Sequence, residues 1–361
     1  MAIHLPLSES LFLFKTKKNM DISFIVMWLG FALAAYSVVG NDVIQTLGTF
    51  LTSNEKRLPW WGLWLFAASI LLFALINGYM VNDIDYGRLD KFDTPSVYHW
   101  YYLLPPIVLL AITRSGIPVS TTFMILTLFS LSAIPNDLPT MMSSVFDTDT
   151  KLGGMIQKSV MGYIVAFTSA IVIYVLITRL TEKRFMENPM TKNSERIWTG
   201  FQWLTTGFLW FQWLTQDLAN IYIYLQGGND LSVGGFIISV LILVGLLAYI
   251  FYSKGGAVQK VVREKTNTAD IRSATFIDLI YGVILYIFKY NHLGLFEGKL
   301  PMSTTWVFIG LLAGREIGMR IHLDKKLSRD TLQMVFADLG KVFFGLIVSV
   351  VLVFIIKLLA G

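Results

Sequence analysis

Gly40-Asn41-Asp42-Val43-Ile44-Gln45 and Thr215-Gln216-Asp217-Leu218-Ala219-Asn220 are the stretches on which the reading of this chain turns. Each lies inside an apolar run, 22 to 50 and 199 to 225, and each reads amide, Asp, two residues, amide. A second pair of patterns follows in the same order: Ile117-Pro118-Val119-Ser120-Thr121-Thr122-Phe123 and Leu300-Pro301-Met302-Ser303-Thr304-Thr305-Trp306. The acidic motif recurs after 175 residues and the Pro-x-Ser-Thr-Thr motif after 183, about half of the 361-residue chain in both cases. Duplication is the simplest account of two motifs repeated in one order at nearly the same spacing.

The rest of the sequence is that of an all-α integral membrane protein. With 55% hydrophobic and only 15% charged residues, it cannot cover itself with a soluble surface. Ten apolar runs stand out: 22 to 50, 60 to 80, 98 to 113, 117 to 134, 154 to 178, 199 to 225, 233 to 252, 274 to 290, 302 to 320 and 341 to 358. A bilayer core about 30 Å thick takes roughly 20 apolar residues per helix, which several of these supply while others are short. The net charge of +5 sits in short clusters between the runs, so it reads as loop charge and argues against a nucleic-acid partner. The absence of cysteine excludes a disulfide framework or a thiolate metal site. The opening MAIHLPLSESLFLFKTKKN places its apolar stretch before its lysines, the reverse of a secretory signal, and no cleavage is expected.

The loops sort by sign. Glu55 to Arg57, Arg179 to Arg196, Lys254 to Arg272 and Arg320 to Arg329 are net basic, whereas Asn82 to Asp93 and Asn136 to Lys151 are net acidic. Basic loops stay cytoplasmic, which gives five crossings followed by five of opposite orientation. Lys15, Lys17 and Lys18 alone fall on the wrong side. The expected organisation is an N-terminal segment (1–21), a first membrane repeat (22–178), a cytoplasmic linker (179–198) and a second repeat (199–361). Two inverted-topology repeats of about five membrane segments each is the architecture that places a transported substrate between halves at the midplane.

A carboxylate in hydrocarbon is costly unless a cation, a proton or hydrogen bonds compensate it. Asp42 with Asn41 and Gln45, and Asp217 with Gln216 and Asn220, therefore form two sets of hard oxygen donors suited to a small cation such as sodium at Asp42 and Asp217. A buried, hydrogen-bonded structural role is the plain alternative. The Pro-x-Ser-Thr-Thr motifs start helices after the breaks Arg114-Ser115-Gly116 and Glu297-Gly298-Lys299. Exposed N–H groups, the positive end of the helix dipole and the hydroxyls of Ser120, Thr121, Thr122, Ser303, Thr304 and Thr305 make a place for an anion. Arg114, six residues before Ser120, is a further candidate anion ligand, unless it snorkels to water.

Together these motifs resemble the inorganic phosphate transporter family, PiT, whose members carry Gly-Ala-Asn-Asp-Val-Ala-Asn-Ala followed by Pro-Val-Ser-Thr-Thr-His in each half. Asn41-Asp42-Val43 and Val119-Ser120-Thr121-Thr122 match directly, as do Asp217, Ala219, Asn220 and Ser303-Thr304-Thr305. The resemblance runs from about Ser37 to Gly314, with identity confined to the motifs. It implies inverted repeats with re-entrant hairpins and uptake of inorganic phosphate coupled to sodium or protons, the acidic helices and hydroxyl turns forming the site. Gln45 and Gln216 replace family Asn residues, and Phe123 and Trp306 stand where the family has His.

The resulting expectation is a secondary active transporter of the plasma (inner) membrane, not an enzyme, with no cofactor and with sodium as the coupling ion. Its partners are phosphate or a similar oxyanion such as sulfate, membrane lipid, and a second copy in a homodimer. Two carboxylates and a dianion repel strongly at low dielectric, so positive charge must enter with the anion. The competing reading, a membrane enzyme acting on phosphate esters, lacks a His or Cys grouped with Ser120 or Ser303. Other features read as structural: a small-residue stripe at Gly310, Gly314 and Gly318 for helix packing within or between chains, local pairs Arg315 with Glu316 and Asp338 with Lys341, and core or interfacial Trp203, Trp210 and Trp213. His99, His292 and His322 lack metal-ligand spacing, and Gly227-Gly228-Asn229-Asp230 reads as a turn.

Overall fold

The computed structural model describes residues 7–115, 117, 119–177, 190–228, 231–254, 271–290, 294, 302–323 and 329–360. Among them every regular element is a helix. Pro118, Pro301, Lys299, His292 and most of the basic loops after 178, 254 and 323 lie outside the described residues.

Helix α1 (Leu7–Asn54) contains no proline and runs unbroken from well before its apolar stretch, so part of the expected N-terminal segment continues into the first helix. Pro59 ends the following turn and starts α2 (Trp60–Met80). After a long connection come a 3-10 turn (Trp100–Leu103), α3 (Leu104–Arg114) and α4 (Thr121–Leu126). The apolar run at 117 to 134 is thus a short helix followed by 3-10 turns at Leu128–Ala133, and not a crossing. Six helical residues rise only about 9 Å, too little to span hydrocarbon. Helices α5 (Leu138–Ser144) and α6 (Lys151–Ile177) follow, then α7 (Lys192–Asp217), a one-turn α8 (Ala219–Tyr222) running into a 3-10 stretch (Ile223–Gly228), α9 (Val233–Tyr252), α10 (Ile271–Tyr290), α11 (Thr304–Leu323) and α12 (Arg329–Ala360).

Six of these helices contain spans long and apolar enough to cross a membrane: Ile22–Val43 of α1, then α2, Lys151–Leu176 of α6, α9, α10 and α12. Exposed Leu204, Leu241, Phe336 and Ile347 are typical of the outer face, as contact with lipid requires. The chain is an integral, multi-pass membrane protein.

The pairing of helices has an internal correspondence. Helix α1 packs on α3 and α7 on α10; α2 packs on α9; α6 packs on α11 and α4 on α12; α1 packs on α9 and α2 on α7. Exchanging α1 with α7, α2 with α9, α3 with α10, α4 with α11 and α6 with α12 turns each pairing into another of the set.

The glycine stripe is used inside the chain. A Cβ at Gly310, Gly314 or Gly318 of α11 would press on the carbonyl oxygens of Tyr163, Phe167 or Ile171 of α6, so the two backbones meet directly along two turns. Trp210 and Trp213 stack at 4.8 Å, and Trp203 packs on Phe50 and Phe66, which makes this aromatic run core packing. The expected Arg315–Glu316 pair is corrected: Glu316 pairs with Arg320 at 2.9 Å, one turn on, while Arg315 lies over the Tyr174 ring. Adjacent residues point in different directions on a helix, whereas residues four apart share a face. Asp338 and Lys341 pair at 3.4 Å as expected, but three turns inside α12 and not at its start.

Candidate functional site

Asp42 sits in the last third of α1 with no exposed surface, and its carboxylate is fully engaged. Oδ1 accepts from Asn41 Nδ2 at 2.6 Å and from Gln45 Nε2 at 3.4 Å; Oδ2 accepts from the Thr121 hydroxyl at 2.7 Å. Asn41 Nδ2 also donates to the Val119 carbonyl at 2.7 Å, tying the first acidic motif to the first Ser-Thr-Thr turn. That turn is shaped by Ser120, whose Oγ caps α4 by accepting from Phe123 N–H at 3.2 Å.

Asp217 occupies the last position of α7, where the helix gives way to α8. Its Oδ1 accepts from Asn220 Nδ2 at 2.7 Å and from the Thr122 hydroxyl at 3.4 Å. Asn220 Nδ2 reaches the Thr121 and Thr122 hydroxyls at 3.2 and 3.4 Å. The second turn closes the arrangement: Thr305 Oγ1 donates to Val119 carbonyl oxygen at 3.3 Å, the same atom that Asn41 holds, and Thr304 lies beside the Asp217 carboxylate. Ser303 Oγ accepts from Trp306 N–H at 3.4 Å, the counterpart of Ser120 with Phe123. Phe123 and Trp306 meet edge to face at 6.3 Å.

Twelve of the thirteen residues singled out from the sequence are therefore buried in one cluster: Asn41, Asp42, Gln45, Ser120, Thr121, Thr122, Gln216, Asp217, Asn220, Ser303, Thr304 and Thr305. Arg114 is apart from them, exposed at the end of α3. Several hydroxyls expected to face an anion are instead committed, Thr121 and Thr122 to carboxylates and Ser120 and Ser303 to helix caps.

The two acidic motifs differ in how well they are satisfied. In the second, Asp217 Oδ2, Gln216 Oε1 and Asn220 Oδ1 are buried and lack a hydrogen-bond partner among the described residues. Carboxylate and amide oxygens are the donor chemistry of a small hard cation, and the Asp217 and Asn220 side chains meet at 2.7 Å. Gln216 spends its amide N–H groups on the Gln212 and Leu285 carbonyls, both at 3.3 Å, which leaves its oxygen available. In the first motif, Asn41 Oδ1 is reached by Thr113 at 3.4 Å and both carboxylate oxygens of Asp42 are occupied.

Four buried charged groups near these elements escaped the sequence reading: Asp85, Arg88, Lys158 and Asp278. The connection 82 to 93 looks like an acidic loop, yet Ile84, Asp85, Arg88, Leu89 and Phe92 fold into the interior. Asn82 and Tyr86 turn the chain there with φ of 55°, followed by Gly87 at 70°. Arg88 Nη2 points at the Met302 carbonyl at 3.5 Å, and its charge is felt by Asp217 and Asp85. Lys158 is 5% exposed on α6, and Ser159 beside it accepts from Ser303 N–H at 3.0 Å. Asp278, on α10, accepts hydroxyl hydrogen bonds from Thr49 of α1 and Thr206 of α7, both at 2.5 Å. Lone ionisable residues in apolar runs signal Lys158 and Asp278; nothing local distinguishes Arg88 from its acidic neighbours.

No family model matches this chain, and no curated protein matches it by sequence. A solved structure described as "The sodium-dependent phosphate transporter" is similar over 94% of this chain and 97% of that one, with a TM-score of 0.52 and 17% identity. The two chains share a fold.

Proposed function

We propose that this chain is a cation-coupled secondary transporter that imports inorganic phosphate across the plasma membrane. The observation that supports the reading best is the meeting of the repeated motifs: Asn41 and Thr305, 264 residues apart, both hydrogen-bond the Val119 carbonyl. Inverted repeats bring equivalent motifs together in this way at the centre of a carrier. The correspondence among helix pairings and the likeness in fold to a protein described as a sodium-dependent phosphate transporter point the same way.

Charge sets the mechanism. Asp42 and Asp217 lie close enough to repel each other, and an oxyanion between them adds to the repulsion. A sodium ion held by the Asp217, Gln216 and Asn220 oxygens lowers the negative charge so that the anion can enter, and its departure on the other side releases the anion. Protonation of the carboxylates would serve the same end. Gln45 and Gln216 fit a carrier whose cation lies about one methylene further from the helix than an Asn would hold it. Uptake of labelled phosphate and sulfate into proteoliposomes, with and without an inward sodium gradient and at two pH values, tests the reading. Sodium-stimulated phosphate uptake is expected; no uptake of either anion under any gradient would refute it.

A further inference from the structure

Two of the buried cationic residues, Arg88 and Lys158, lie on elements that meet the second turn. Arg88 is 6% exposed, and its Nε has no hydrogen-bond partner among the described residues. The guanidinium lies at the Met302 carbonyl, immediately before Ser303 and the start of the twenty-residue helix α11. Ser159 of α6 reaches the same turn, accepting from Ser303 N–H at 3.0 Å, and Lys158 is the buried residue before it. Arg88 and Lys158 are close enough to repel, and Lys289, over the Tyr86 ring at 4.6 Å, adds to the repulsion. Asp85 is committed to Leu89 N–H at 2.7 Å, and Asp217 carries the second motif's unpartnered oxygen. Among the described residues no buried cation is seen to contact the first turn, where Arg114 is exposed.

We infer that the oxyanion docks at the second turn, at the N-terminus of α11, with Arg88 as its charged ligand. This rests on the proposed function and makes the site asymmetric. The acidic motifs take the cation, and the second turn with Arg88 takes a tetrahedral oxyanion. An arginine presents parallel N–H groups that match two oxygens of such an anion, and the helix start supplies N–H groups and the positive end of the dipole.

Two measurements with inorganic phosphate test it. In binding to the purified chain with sodium present, Arg88→Gln should raise Kd by about tenfold or more, Arg88→Lys by less, and Arg114→Gln not at all. Wild-type binding with Arg88→Gln within about threefold overturns the inference and leaves phosphate transport standing. Failure of the wild type to bind phosphate overturns both. The second measurement needs no variant: saturating phosphate should slow phenylglyoxal modification of Arg88, read by mass spectrometry, while Arg114 reacts at the same rate. An equal rate at Arg88 with and without phosphate, or no reaction there at all, would overturn the inference even if Arg88→Gln did not fold.

Discussion

Thr121 and Asn220 come from opposite halves of the sequence and share a hydrogen bond: Asn220 Nδ2 donates to Thr121 Oγ1 at 3.2 Å. The same hydroxyl donates to Asp42 Oδ2 at 2.7 Å, and Asn220 also holds Asp217 at 2.7 Å. One hydroxyl therefore completes a chain from one buried carboxylate to the other. Replacing Thr121 by Val keeps the shape and removes the link, at about 1–3 kcal/mol for a hydrogen bond to a charged group. Transport by Thr121→Val should need more sodium to reach half its maximum, whereas Thr121→Ser should behave as wild type. Sodium titration of uptake checks both.

Asp42→Asn and Asp217→Asn remove charge while keeping size and most hydrogen-bonding capacity. Both variants should remain folded in detergent and transport with reduced dependence on sodium or pH. The effect should be larger at Asp217, whose motif holds the three unpartnered oxygens. Unchanged ion dependence of phosphate uptake in both would exclude the acidic motifs as the coupling site.

The contact of α6 with α11 leaves no room at Gly314, where a Cβ would strike the Phe167 carbonyl and Ala170 Cβ. Gly314→Val should destabilise the protein by about 1–3 kcal/mol through overpacking, seen as a lower thermal transition in detergent. Gly340→Ala, where a Cβ would meet nothing within 4 Å, should leave the transition in place or raise it slightly.

Asp278 ties three helices through two hydroxyls. Thr49→Val or Thr206→Val should each cost about 1–3 kcal/mol, since either leaves a buried carboxylate oxygen short of a donor. The pair should be non-additive in a double-mutant cycle, because both act on one group. Thermal unfolding of the two single variants and the double variant measures the coupling.

Much of this is legible in the sequence. Repetition places Asp42 with Asp217 and Ser120 with Ser303 because a duplicated chain carries its chemistry twice, and all four are buried together. Hydropathy marks membrane helices but not their ends or breaks, so α1 starts earlier than its apolar run, and the stretch at 117 to 134 passes for a crossing. Arg88 was hidden for a different reason. Loop charge is read as a sum, and four aspartates between 83 and 93 outweigh one buried arginine whose environment only the tertiary fold creates. The commitment of Thr121 to Asp42, and not to open space, depends on a rotamer that no motif specifies.

The crossed pairing of α6 with α11 and of α4 with α12 has a consequence for how the protein is made. The ribosome completes α6 before α11 by more than 120 residues, Ile177 to Thr304, which at about 5–20 residues per second is on the order of ten seconds. During that interval α6 stands in the bilayer without the glycine face it is shaped to receive, and α4 waits longer still for α12. Newly inserted chains should therefore pass through a long-lived, half-assembled stage in which lipid or an insertion factor covers these surfaces. The two halves expressed as separate polypeptides should accumulate only when both are made in the same cell.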